Sequence, residues 1–190
     1  MADQPGVIVV TGIMAAGKST VAQALAERLP ASVHLRGDVF RRMIVNGRVE
    51  ISEDLEAAAA EQLRLRYDLA VAAAARYVAA GFTVVYQDVI LGPVLGDIVA
   101  ELAAVADVHV VVLAPSVAEV ARREAGRAKT GYGAWTPEAL DAGLRDETPR
   151  VGLWVDSSDL TVDETVETIL ARLEEARVSK VSGGPVGVEE

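Results

Sequence analysis

The chain has 190 residues, no cysteine, a formal net charge of −10 and a composition that is 51% hydrophobic. That length suits one domain with a sizeable core, and the lack of cysteine excludes disulfides and thiolate metal sites. There is no overall surplus of positive charge to neutralise a polynucleotide, which disfavours nucleic acid as a partner; no apolar run spans a bilayer and no basic export segment opens the chain, so the expectation is a cytoplasmic protein without membrane contact.

The first strand signal is Val7–Thr11, an apolar run. It runs into Gly12-Ile13-Met14-Ala15-Ala16-Gly17-Lys18-Ser19, a full match to G-x-x-x-x-G-K-[ST], and then into a helical pattern over Lys18–Leu29. Strand, glycine-bounded loop and helix is the context this motif requires. Gly12 and Gly17 let the backbone curl so that its amides face phosphate oxygens, and the helix N-terminus adds partial positive charge. Lys18 is suited to the β- and γ-phosphates, and the Ser19 hydroxyl to Mg²⁺. Residues Gly12 through Thr20 are therefore the expected nucleoside-triphosphate site.

A second strand, Ser32–Leu35, leads into Arg36-Gly37-Asp38. Asp38 thus stands at the carboxyl end of a parallel strand, the edge where open α/β sheets bind ligands. Its carboxylate suits proton acceptance from an attacking hydroxyl, or a cap on the helix predicted over Val39–Val45. Arg36, Arg41 and Arg42 crowd this edge, with Arg41 the better candidate for acceptor contact. A long alanine-rich helix over Asp54–Ala80 stops at Gly81 and precedes the strand Thr83–Gln87. Asp88 ends that strand and is expected in the Mg²⁺ shell or against substrate.

A helix over Val94–Val105 and a strand over Asp107–Leu113 follow. Ser116 with Glu119 is a capping-box pair for the helix Val117–Gly126. Arg122, Arg123 and Arg127 then precede Lys129 and a Tyr132 flanked by Gly131 and Gly133, the makings of a lid that closes over phosphates. Thr136-Pro137 starts a helix to Arg145. After a strand over Gly152–Asp156, Thr161 and Glu164 cap the helix Val162–Ala176. His34, His109, Tyr67, Trp135 and Trp154 read as packing residues. Residues 177–190, with Ser182-Gly183-Gly184-Pro185, read as a flexible tail. Strands alternating with helices describe an α/β protein with a parallel sheet, and the β-branched first and fourth strands read as covered on both faces.

On these residues the chain resembles the small P-loop phosphotransferases of the adenylate-kinase-like group, and within it the chloramphenicol phosphotransferase-like kinases. Gly12–Ser19 matches the group's first motif, and Asp38 its acid that activates the acceptor hydroxyl. Val84–Gly92 is similar to its apolar-strand-Asp-Val-x-Leu-Gly run, with Asp88 on the acid. Arg123 and Arg127 match two lid arginines, while Lys129 or Thr130 stands where a third basic residue is expected. The resemblance implies a three-layer fold with a five-stranded parallel sheet in the order 2-3-1-4-5. It also implies one kinase domain over residues 1–176, with an acceptor-binding insertion over 39–80 and a lid over 122–135.

The expected activity is transfer of the γ-phosphoryl of ATP, with Mg²⁺, to a hydroxyl of an antibiotic or a hydroxylated metabolite. Asp38, Lys18 and Arg127 carry the catalysis, and Arg123 joins Arg127 on the nucleotide. A nucleoside, nucleotide or polynucleotide-end kinase shares this core, and an ATP-driven switch without a phosphoryl acceptor is the reading from another class.

Overall fold

The β-branched runs become the middle of one sheet in a computed structural model that describes residues 6–49, 57–126 and 136–178. In chain order the elements are β1 (Gly6–Thr11), α1 (Lys18–Glu27), β2 (Ser32–Arg36), α2 (Asp38–Arg42), α3 (Ala57–Ala79), β3 (Thr83–Gln87), α4 (Val94–Ala103), β4 (Asp107–Leu113), α5 (Val117–Ala125), α6 (Pro137–Ala142), β5 (Leu153–Val155), α7 (Val162–Ala171) and β6 (Arg177–Val178). The strands lie in the order β2-β3-β1-β4-β5, all parallel. Val7 to Val10 and Val110 to Leu113 are buried throughout. Successive strand side chains alternate between faces, so uninterrupted burial requires cover on both sides. On the sheet α1 packs with α7, and α3 with α4.

The expectation of five strands is corrected to six. β5 pairs only with Val111–Leu113 of β4, which leaves the earlier part of that edge open. β6 fills it, running antiparallel beside Val108 and His109. Two residues are too few to show a period, so this strand has no sequence signature. The predicted tail therefore loses Arg177 and Val178 to the sheet, and its remaining residues lie outside those described.

Local capping chemistry sets several helix ends. Thr161 and Glu164 form a complete capping box on α7. The Ser116 hydroxyl caps α5 through the Glu119 amide, and Thr136 caps α6 with Pro137 in its first turn. At the end of α3, Gly81 adopts φ 91° while its amide bonds Val78 and the Phe82 amide bonds Tyr77, a Schellman arrangement. The predicted helix Pro137–Arg145 stays α-helical only to Ala142 and continues as a π-turn, Gly143–Glu147. That predicted over Val162–Ala176 ends in a 3₁₀ turn, Leu173–Ala176. The predicted start of the long helix, Asp54, lies outside the described residues.

Candidate active site

β1 lies between β3 and β4, so connections diverge to either side of its carboxyl end and open a crevice there. Two hydroxyls pin the neighbouring loop. Thr11 Oγ1 donates to the Ile90 carbonyl at 2.8 Å and accepts from the Ile90 amide at 3.0 Å, while Thr148 Oγ1 accepts from the Gly92 amide at 2.8 Å. The loop after β1 needs its glycines. Gly12 has φ 143°, and a Cβ there would overlap the Leu113 carbonyl. Gly17 has φ 92° and occupies the N-cap of α1 without a capping side chain, so no cap competes with an anion for the Lys18 and Ser19 amides, while the Thr20 amide bonds the Gly17 carbonyl at 3.1 Å. Lys18 Nζ donates to the Ile13 carbonyl at 2.7 Å, which also receives the Ala16 amide, and the ammonium is held over the loop.

Ser19 Oγ donates to Gln87 Oε1 at 3.2 Å. That donation leaves the oxygen's lone pairs for a cation, so the hydroxyl fits the metal role expected of it. Gln87 is buried at the end of β3, and its own carbonyl accepts the Gly37 amide at 3.0 Å. One residue thus joins the loop after β1 to the turn after β2. Sequence reasoning passed over Gln87 in favour of its neighbour, although a polar side chain in an otherwise apolar buried strand was a readable signal.

Asp88 makes its hydrogen bonds to groups other than Ser19. It is fully buried, and the Arg66 guanidinium bonds both of its oxygens, with Nε to Oδ2 at 2.9 Å and Nη2 to Oδ1. The Val89 amide donates to Oδ1 at 2.7 Å and Tyr86 Oη to Oδ2 at 3.3 Å. Burial pushes the Tyr67 hydroxyl up to about 12 and raises that of Tyr86, so both stay protonated donors. Tyr67 donates to the Val89 carbonyl at 2.9 Å. A Cβ on Gly37 would overlap the Asp88 carboxylate, so this buried pair seats directly behind the turn that carries Asp38.

Asp38 is the first residue of α2, and Gly37 rather than Asp38 occupies the N-cap, which removes the capping alternative. Its carboxylate, 40% exposed, meets Arg42 Nη2 at 2.9 Å and Arg36 Nε at 3.8 Å. Burial foremost lowers Arg66 from the ordinary guanidinium range, and the charges of Asp38 and Arg41 also act on it.

On the other side of the loop Arg123 is fixed by three acceptors: Glu119 at 2.6 Å, the Ser157 carbonyl at 2.8 Å and the Ala16 carbonyl at 3.2 Å. It walls a cavity of about 460 Å³ with Gly17, Thr20, Ser158 and Thr161. Hydrogen bonds from Arg122 and Arg123 hold the Glu119 carboxyl down to about 2. Arg127, Lys129, Thr130, Gly131, Tyr132, Gly133 and Trp135 lie outside the described residues. Among the described residues no cluster of three or more His, Cys, Asp or Glu side chains is placed to hold a metal. No described helix is long and apolar enough to cross a membrane.

The family described as an AAA domain matches residues 7–147. No curated protein sequence matches the chain. Solved structures that share its fold include a sugar kinase from Janibacter sp. HTCC2649, at 17% identity and TM-score 0.65, covering 90% of this chain and 96% of the other. The tunicamycin resistance protein of Deinococcus radiodurans is similar at 18% identity and TM-score 0.63, covering 93% and 99%. A gluconokinase from Sinorhizobium meliloti 1021 is similar at 23% identity and TM-score 0.58, covering 90% and 92%.

Proposed function

The chain belongs to the AAA-domain family, and from that premise we propose that it is an ATP- and Mg²⁺-dependent phosphotransferase acting on a hydroxyl of a small molecule. The observation that carries this reading is the bridge through Gln87. Its side chain contacts Ser19 of the phosphate loop and its carbonyl holds Gly37, so Asp38 stands beside the triphosphate site.

ATP with Mg²⁺ supplies the transferable phosphoryl and neutralises part of its charge. The amides of the Gly12–Ser19 loop bind phosphate oxygens, and Lys18 exchanges the Ile13 carbonyl for one of them. Ser19 would hold the cation through Oγ while its hydroxyl donates a hydrogen bond to Gln87 Oε1. Asp38 accepts the proton of the acceptor hydroxyl as that oxygen bonds phosphorus and the bond to the ADP oxygen breaks. Arg41 orients the acceptor, and Arg123 with Arg127 balances charge on the triphosphate. The insertion over 39–80 forms the acceptor side and the segment over 122–135 the lid. Asp88 serves by position, locked to Arg66 behind Gly37, rather than in the metal shell.

The similar structures named sugar kinase, gluconokinase and tunicamycin resistance protein support a hydroxylated metabolite or an antibiotic as acceptor, in keeping with a chloramphenicol phosphotransferase-like subgroup. The test is ATP consumption followed by phosphorus NMR against sugars, sugar acids, nucleosides and hydroxylated antibiotics, where a new phosphomonoester resonance identifies the acceptor. With that acceptor, Asp38→Asn binds ATP normally but turns over roughly 10²–10⁴-fold more slowly. Undiminished transfer by Asp38→Asn removes the base assignment. ATP hydrolysis indifferent to every acceptor but stimulated by a protein replaces the kinase reading with a switch.

A further inference from the structure

The long helix α3 has two unlike sides. Ala59, Tyr67, Ala70 and Ala74 are buried and fasten it to the fold. The opposite side is exposed along Glu61, Leu65, Leu69, Ala72 and Arg76, with Leu65 at 47% and Leu69 at 42% exposure. At 3.6 residues per turn these five positions lie within about 80° of one another, in a single stripe. Its apolar centre, Leu65 to Ala72, spans about two turns and is closed by an acid at one end and a base at the other. Glu61 and Arg76 make no ion pair among the described residues. Asp68, on the border of the stripe, is already matched by Arg64 at 2.6 Å.

The order of these residues is palindromic. When a helix meets its own copy antiparallel about a two-fold axis, a position a given distance before the midpoint faces the position equally far beyond it. With the axis between Asp68 and Leu69, Glu61 of one chain faces Arg76 of the other, Leu65 faces Ala72, and exposed Ala58 faces exposed Ala79. Leu69 and Asp68 each lie half a residue from the axis, so the two Leu69 side chains meet beside it within the stripe, with Asp68 of each chain at the same height on its border. Large faces small on each side of it, which lets two helices approach closely, and both end charges find opposite partners twice over. A parallel pairing would set Glu61 against Glu61 and Arg76 against Arg76.

We propose that this α3 stripe is a self-association surface, occupied by α3 of a second copy of the chain in an antiparallel two-fold dimer. The buried side of the same helix holds Arg66 against Asp88, so the dimer braces the element behind the Gly37–Asp38 turn. The inference stands on the helix alone and does not depend on phosphoryl transfer.

Sedimentation equilibrium of the full chain tests it. The wild-type chain forms a reversible dimer, and Leu69→Lys abolishes it while the circular dichroism spectrum and ATP binding remain. Glu61→Arg and Arg76→Glu each weaken association about tenfold, because every reversal acts at two symmetric contacts. The double variant Glu61→Arg/Arg76→Glu restores the dimer, an outcome only antiparallel pairing produces. A wild-type chain that is monomeric at the highest soluble concentration, a dimer untouched by Leu69→Lys, or a charge swap that fails to restore association each overturns the proposal.

Discussion

Gln87 and Asp88 are adjacent in sequence, yet they do opposite jobs. Gln87 is the last residue of β3 and turns to Ser19; Asp88, one residue on, turns to Arg66. The alternation of a strand places consecutive side chains on opposite sides, so only one of the two can face α1. Gln87→Leu keeps the volume and removes the acceptor of the Ser19 proton. It weakens Mg²⁺-dependent ATP binding by roughly ten- to a hundredfold and leaves metal-free nucleotide binding nearly unchanged, as titration calorimetry with and without Mg²⁺ will show. Lys18→Ala acts on the charge itself. The Ile13 carbonyl keeps the Ala16 amide, so the loop survives, while phosphoryl transfer measured in a coupled assay falls by about 10²–10³-fold.

Besides its buried apolar side, α3 contributes one buried ion pair. Arg66 is 12% exposed and Asp88 fully buried, so neither charge has water to fall back on. Arg66→Leu strands the carboxylate and costs about 3–5 kcal/mol in urea unfolding. Removing both charges, as Arg66→Leu with Asp88→Leu, costs much less than the sum of the single changes, and the coupling read from the double-mutant cycle measures the pair. α5 shows the same logic at the surface. Glu119 gathers Arg122 and Arg123, and Arg123 spends its remaining donors on the Ala16 and Ser157 carbonyls, which turns a solvent-side charge run into part of the wall of the cavity beside Gly17.

Across the whole molecule, the edge of β4 ties acid stability to the fold. His109 sits where β6 joins β4, and burial chiefly lowers its pKa from 6.5, with Arg177 acting the same way against Glu174 and Asp107. The unfolded chain then binds more protons than the folded one, so stability falls as pH drops below 6.5 and levels off once the folded ring titrates. Urea midpoints measured from about pH 8 to about pH 5 decline along this course, and His109→Gln makes the decline shallower whatever it does to the midpoint at pH 8. A variant with an unchanged slope would move the acid sensitivity elsewhere, His34 first, since burial lowers its pKa too.

Local information carried the strands, the capped helix ends at Ser116, Thr136 and Thr161, and the phosphate loop itself, because each depends on residues a few positions apart. β-branched runs in alternation with helices also implied a parallel sheet covered on both faces. Only the folded chain decided that Gln87 rather than Asp88 meets Ser19, across 68 positions, and that Gly37 makes room for a buried carboxylate. The same holds for Arg123 as a wall of the cavity beside Gly17 and for β6 as a filler of an edge that β5 leaves open. Which of two neighbouring polar side chains faces a site is set by what packs on each side of the sheet, and that packing is a property of distant segments brought together.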